Sequence, residues 1–183
     1  GHSRVTSIPG YCNNTTALAG MMLRRVASFL EKQGRTADPA WRPAAERAVE
    51  HLIDQQDVSG HWPYWTGVDW FDVSHHAMCI HHLAEAVDGA GDEEVECAMP
   101  ALTLGARWLV ERGLLQTQKG TKVDWAVEHS ACIYFTQSYF TCASALARLG
   151  SLDAEQGARW REQAVQLMRY LRAELWDNPQ TEL

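Results

Sequence analysis

Arg47-Ala48, His51-Leu52, Gln56 and Gly60-His61-Trp62, running on into Pro63-Tyr64-Trp65, form the stretch from which the fold is read. A helical pattern ends near Gln56, and Gly60 permits a tight turn behind it. The Gln56 amide and the Trp62 ring are then placed to pin that turn to the helix end. A chain that anchors its turns this way is built from helices joined by structured loops.

Working outward, six helical patterns alternate with loops, and almost nothing reads as strand. The first runs from about Thr15 to Gln33, capped by Asn13 or Asn14 and stopped at Gly34. The second follows Asp38-Pro39 and ends near Gln56. The third covers Val73 to about Asp88, with Gly89 and Gly91 beyond it. The fourth spans roughly Glu93 to Arg112, with Pro100 as a point of kinking and Gly113 as its stop. The fifth runs from about Val127 to Leu149, and the sixth from a cap at Asp153 to about Trp176.

The pattern repeats. Val68-Asp69-Trp70 recurs as Val123-Asp124-Trp125, and each precedes a helix with histidine in its first turn, His75-His76 in one and His129 in the other. The even helices share a bulky pair: His51-Leu52, Trp108-Leu109 and Tyr170-Leu171. The unit is a helical hairpin, present three times, and such units bury a core only against their neighbours. The fifth helix is apolar or small on nearly every face, so it is buried all round, whereas the sixth is amphipathic. Odd helices inside and even helices outside is the arrangement of an α/α toroid.

Composition sets the limits. The 183 residues are 46% apolar and 21% charged, a globular balance that fits one domain from residue 4 to 183, after a tag-like Gly1-His2-Ser3. The net charge of -7 opposes nonspecific nucleic-acid binding, and no apolar run approaches the ~20 residues of a membrane span. Five cysteines without a C-x-x-C pair (Cys12, Cys79, Cys97, Cys132 and Cys142) read as reduced, mostly buried thiols in a cytoplasmic protein.

The stretch from Arg47 to Trp62 resembles the Gln–Trp repeat of terpenoid cyclases, with His51 in a slot that is aromatic in that family. The resemblance implies the all-α toroid that cyclases share with protein prenyltransferases. A full toroid there has about six hairpins. Three hairpins imply half a ring, which closes its core as a homodimer or against a second half. The cyclase acid motif, Asp-x-Asp-Asp, is represented by Asp72-Val73-Ser74-His75-His76-Ala77, which keeps the first aspartate and replaces the later acids by Ser74 and His75. Gly60-His61-Trp62-Pro63-Tyr64 also looks like sugar-processing α/α toroids over about Gln55 to Ala86.

On a helical wheel Val73, Ala77, Ile80, Ala84 and Val87 share one side of the third helix. His75, Cys79 and His82 lie opposite, toward the lumen of a toroid. The repeat register puts Thr15, His75 and His129 in one ring and Met22, His82 and Thr136 in a second. Asp69, Trp70, Asp72, Asp124 and Trp125 belong to the mouth. His75 and His129 are the expected acid–base pair and Asp72 the orienter of an imidazole, in a lyase or isomerase acting on a small hydrophobic or sugar-like substrate. Trp62, Tyr64, Trp70, Trp125, Thr15, His82 and Thr136 are the expected ligand contacts, since indole rings stack on sugars and attract cations. Two other readings stand beside this one. The histidines cap their helices in a non-catalytic interaction module, or His75, Cys79 and His82 hold zinc with Asp72 or His129. Apart from that zinc, no cofactor is expected.

Overall fold

The computed structural model describes residues 12–65, 72–88, 90–125 and 135–177. Six α-helices follow in order: α1 (Asn13–Lys32), α2 (Trp41–Gln55), α3 (Val73–Val87), α4 (Asp92–Trp108), α5 (Phe135–Leu152) and α6 (Gly157–Leu171). The protein is mainly α-helical, as its periodicity predicts. α1 packs on α2, α3 on α4 and α5 on α6, and α3 lies between α1 and α5.

Side chains between the odd helices fix their direction. Ser74 Oγ donates to Ser138 Oγ at 2.9 Å near the starts of α3 and α5, and Arg148 Nε sits 2.7 Å from Glu85 Oε1 near their ends. Glu85 also meets Arg25 of α1, and Asn14 at the start of α1 reaches Met78 Sδ. The three odd helices therefore run parallel, side by side, as one layer. This arrangement explains why α3 is so apolar. Val73, Ala77, Ile80, Ala84 and Val87, placed together by the wheel, are all fully buried. The core that they share with Leu52, Leu102, Leu109, Leu146, Leu149, Trp160 and Leu167 runs through all three hairpins.

Helix ends follow local chemistry, with one correction. Gly34 stops α1 in a left-handed conformation (φ 67°), its N–H bonded to the Glu31 carbonyl at 2.9 Å. Asp153 Oδ1 accepts from the backbone N–H groups of Glu155 and Gln156 ahead of α6, and its Oδ2 accepts from Trp160 Nε1 at 2.8 Å. The N-cap of α1, by contrast, is Cys12 rather than an asparagine. Asn13 is turned inward and donates to the Pro63 carbonyl at 2.7 Å, tying α1 to the Trp62-Pro63-Tyr64 stretch.

Two features depart from the sequence reading. α4 continues through Pro100 to Trp108, and the chain then widens into a π-helical turn, Leu109–Gly113. A second π-helical turn, Arg172–Trp176, ends α6. Between α4 and α5 lies a two-stranded antiparallel hairpin, β1 (Leu114–Thr117) and β2 (Gly120–Val123), which the helical periodicity gave no reason to expect. Its turn uses Gly120 at φ 132°, and the Val123 N–H donates to Tyr139 Oη at 3.2 Å, fastening the strand to α5. The hairpin lies on α6, and Tyr139 stacks on Tyr170 at 5.7 Å between ring centroids.

Gly60 is a turn position that only glycine can fill without strain. Its φ is 95°, and a Cβ there would lie 2.5 Å from the Leu104 carbonyl oxygen. Gly60→Ala is expected to cost about 2–3 kcal/mol in chemical denaturation, from backbone strain and overpacking together. Gly91→Ala, with nothing near its Cβ, should cost under about 1 kcal/mol. Equal effects at the two sites would contradict the close approach of this turn to α4.

Candidate functional site

The turn after α2 is anchored as its residues predict. Gln56 Nε2 donates to the carbonyls of Gly60 (2.9 Å) and Ala101 (2.8 Å), so it closes its own turn and reaches across to α4. Trp62 Nε1 donates to the Leu52 carbonyl at 2.6 Å, one of the carbonyls a helix leaves open in its last turn. The ring itself is 1% exposed. Trp62 is therefore a core residue, and the expectation that it touches a ligand is corrected: the indole is spent on fastening the turn.

Behind Trp62 lies a buried aromatic cluster, His61, His76 and Trp108, that the sequence reading did not single out. His76 is fully buried; its Nδ1 accepts from the Trp62 N–H at 3.2 Å, and its Nε2 lies 2.9 Å from the Gly105 carbonyl. These two partners demand a neutral ring protonated on Nε2. Burial, and then the neighbouring His61, pull its pKa down to about 3. Trp108 packs on both imidazoles, 4.4 Å from His61 and 4.6 Å from His76.

The polar group with chemical potential sits at the start of α3. Asp72 is its N-cap, and Oδ1 accepts from the His75 N–H at 2.9 Å. The other carboxylate oxygen, Oδ2, lies 2.7 Å from His75 Nδ1. The same carboxylate thus holds the helix end and lies beside the imidazole, although Nδ1 makes no hydrogen bond in this arrangement. Tyr64 packs on that ring from the Trp62–Trp65 loop, at 4.2 Å between centroids, and Trp65 meets Tyr64 edge-on. Cys12 pairs with Trp65 through an isolated β-bridge, and the Asn13 N–H donates to the Tyr64 carbonyl at 3.1 Å, so the starts of α1 and α3 meet around this loop. His75 is 16% exposed, close enough to the surface to be reached and enclosed enough to be oriented.

The other expected residues scatter. Thr15, Met22 and Thr136 are exposed, and Trp125 is partly exposed beside Tyr139. His82 is half-buried next to His81, and burial followed by that neighbour lowers its pKa to about 4. With Met78, His81, Phe140 and Ser144 it lines a cavity of about 310 Å³ between α3 and α5. Cys79 belongs to the core and not to the lumen side, and burial raises its thiol pKa well above the ordinary value. A thiol held protonated is a poor ligand, and among the described residues no group of three His, Cys, Asp or Glu side chains is gathered to hold a metal ion. The His75–Cys79–His82 zinc set is therefore not assembled. Of the cysteines among the described residues, Cys79 and Cys142 are buried, Cys12 is half-buried and Cys97 is exposed. His129, Asp69 and Trp70 lie outside the described residues. No helix among the described residues is long and apolar enough to cross a membrane.

No protein-family model matches the chain, and no curated protein or solved structure is significantly similar to it.

Proposed function

We propose that the chain is an α/α-toroid-like domain with acid–base chemistry at the start of α3, acting as a lyase or isomerase on a small hydrophobic or sugar-like substrate. The observation that supports this reading is the Asp72–His75 pair. A carboxylate oxygen lies 2.7 Å from Nδ1, not aligned as a hydrogen bond in the structure, and a small turn of the ring would let it orient the imidazole and leave Nε2 to exchange a proton with a substrate. His75 is the acid–base residue, Asp72 its positioning residue, and His129, its counterpart in the third hairpin, the expected second proton carrier. Tyr64 and Trp65 supply an aromatic wall on which an apolar or sugar ring can rest.

The test starts with a thermal-shift screen of isoprenoid and sugar compounds, followed by turnover assays on the compounds that stabilise the protein. His75→Ala should abolish turnover while lowering stability by less than about 1 kcal/mol, because the ring is not core. Asp72→Asn keeps a capping side chain and removes the charge, so it should lower kcat with little change in melting temperature. A loss of about 3 kcal/mol or more in His75→Ala, with unchanged binding, would leave the pair a helix cap and nothing else.

A second reading has its own observation. Leu18, Met22, Val26 and Phe29 form an exposed apolar stripe on α1, with Phe29 60% exposed. Such a stripe suits a non-catalytic half-toroid covered by a second copy or a partner chain. Sedimentation analysis separates the two readings: a stable dimer broken by Met22→Glu favours the interaction module.

A further inference from the structure

The groove between α5 and α6 joins an apolar lining to basic side chains. It is an open groove of about 690 Å³, lined by Ala143, Ala147, Ala164, Val165 and Met168, with Phe140 beside them. Three alanines leave room where larger side chains would fill the gap. Its charged lining residues are Arg161, Arg169 and Arg172, and no acidic residue joins them, in a chain whose net charge is -7. The groove between α2 and α4 is the opposite case, lined by Glu46, Glu50, Glu93 and Glu94.

The arginines follow helical spacing along one face of α6, so they are strung along the groove. From Arg161 to Arg172 the helix rises ~16 Å, the length of an extended chain rather than of a compact ring. Arg161 bonds the Gly150 carbonyl, which stations it at one end of the groove. At the other end Arg169 and Arg172 are mostly exposed. They face the exposed carboxylates of Glu162 at 3.8 Å and Asp177 at 3.2 Å. Exposed pairs of this kind are weak and exchange partners readily, and a guanidinium meets a carboxylate through paired donors.

We propose that this groove binds a free long-chain carboxylate, its alkyl chain on the alanine floor and its head against Arg169 and Arg172. The site is separate from the Asp72–His75 pair and does not depend on the enzymatic reading. Volume and lining both fit a ligand site of ordinary size, apolar with a few polar groups that set orientation.

The experiment is calorimetric titration of the purified protein with dodecanoate below its micellar concentration, beside dodecyltrimethylammonium, which has a similar tail and the opposite charge. Dodecanoate should bind one per chain. Arg169→Gln combined with Arg172→Gln should weaken it roughly tenfold or more, since both positions are exposed and the fold has no need of them. Ala147→Phe, at an exposed position on the floor, should abolish binding by filling the groove with the melting temperature retained. Equal affinity for the cationic amphiphile, or binding indifferent to the arginines, would overturn the proposal. A concentration-dependent dimer in sedimentation that Ala147→Phe dissociates would also overturn it, because the groove would then be occupied by a second copy.

Discussion

Trp62→Ala is expected to destabilise the protein by about 4 kcal/mol in urea denaturation at neutral pH, a large share of what holds a domain of this size. Two losses combine. The ring fills a space bounded by His76 at 5.5 Å and by Gly105, whose missing side chain is what admits the indole. Removing the ring leaves a cavity that the parallel helices cannot close. The indole N–H also satisfies the Leu52 carbonyl, which would otherwise face the core without a donor. Trp62→Phe separates the two effects: it restores most of the volume and none of the hydrogen bond, and should recover more than half of the loss. If Trp62→Ala costs less than about 1 kcal/mol, the turn is held by something other than this ring.

Acid should unfold the protein through His76. The ring is neutral in the fold with a pKa of about 3, whereas in the unfolded chain it titrates near 6.5. Between these values the unfolded state carries a proton that the native state refuses, so stability is fully present above pH 6.5 and falls as pH drops toward 3. The slope is about 1.4 kcal/mol per pH unit, giving roughly 3 kcal/mol lost by pH 4. The half-buried His82 is shifted in the same direction and adds to the trend with a smaller weight. Asp57 and Asp153, whose carboxyls are held below the ordinary value by the hydrogen bonds they accept, extend the loss to lower pH. Unfolding midpoints in urea measured from pH 8 to 4 read this slope directly. His76→Gln should be less stable at pH 8 and should show a visibly flatter profile. An unchanged slope in that variant would place the titrating group elsewhere.

The helices and the anchored turn were legible because both depend on short-range chemistry. Gln56, Gly60 and Trp62 sit within one turn and answer to one helix end, so their spacing alone states the job. The same logic led astray for the ring of Trp62: an indole that pins a turn is buried by doing so, and cannot also meet a ligand. Cys79 shows a second limit. A wheel gives one exposed side to a helix, but α3 is flanked by α1 and α5 as well as backed by α4, so only His75, Met78, His81, His82 and Glu85 escape full burial. The β1–β2 hairpin was missed because its strands are four residues each and polar at half of their positions, too short to compete with a helical period. Thr121 and Val123 on alternate positions before Asp124, behind Gly120, were the available signal. Asp72 and His75 lie close because both sit in the first turn of one helix; whether other groups converge on them depends on distant chain, including His129, which no periodicity can place.

The bond from Gln56 to Ala101 bears on how the molecule can bend. Because the loop after α2 is stapled to α4, it cannot act as a hinge, and the first two hairpins are coupled mechanically through their outer helices. On the other side of α4, toward the α5–α6 connection, a cleft of about 650 Å³ lies between Met99, Thr103 and Leu104 on one wall and Leu152 and Gln156 on the other. The stack is thus stapled on the α2 side of α4 and slotted on the other, while the third hairpin is held to the rest through α3, by Ser74–Ser138 and Glu85–Arg148.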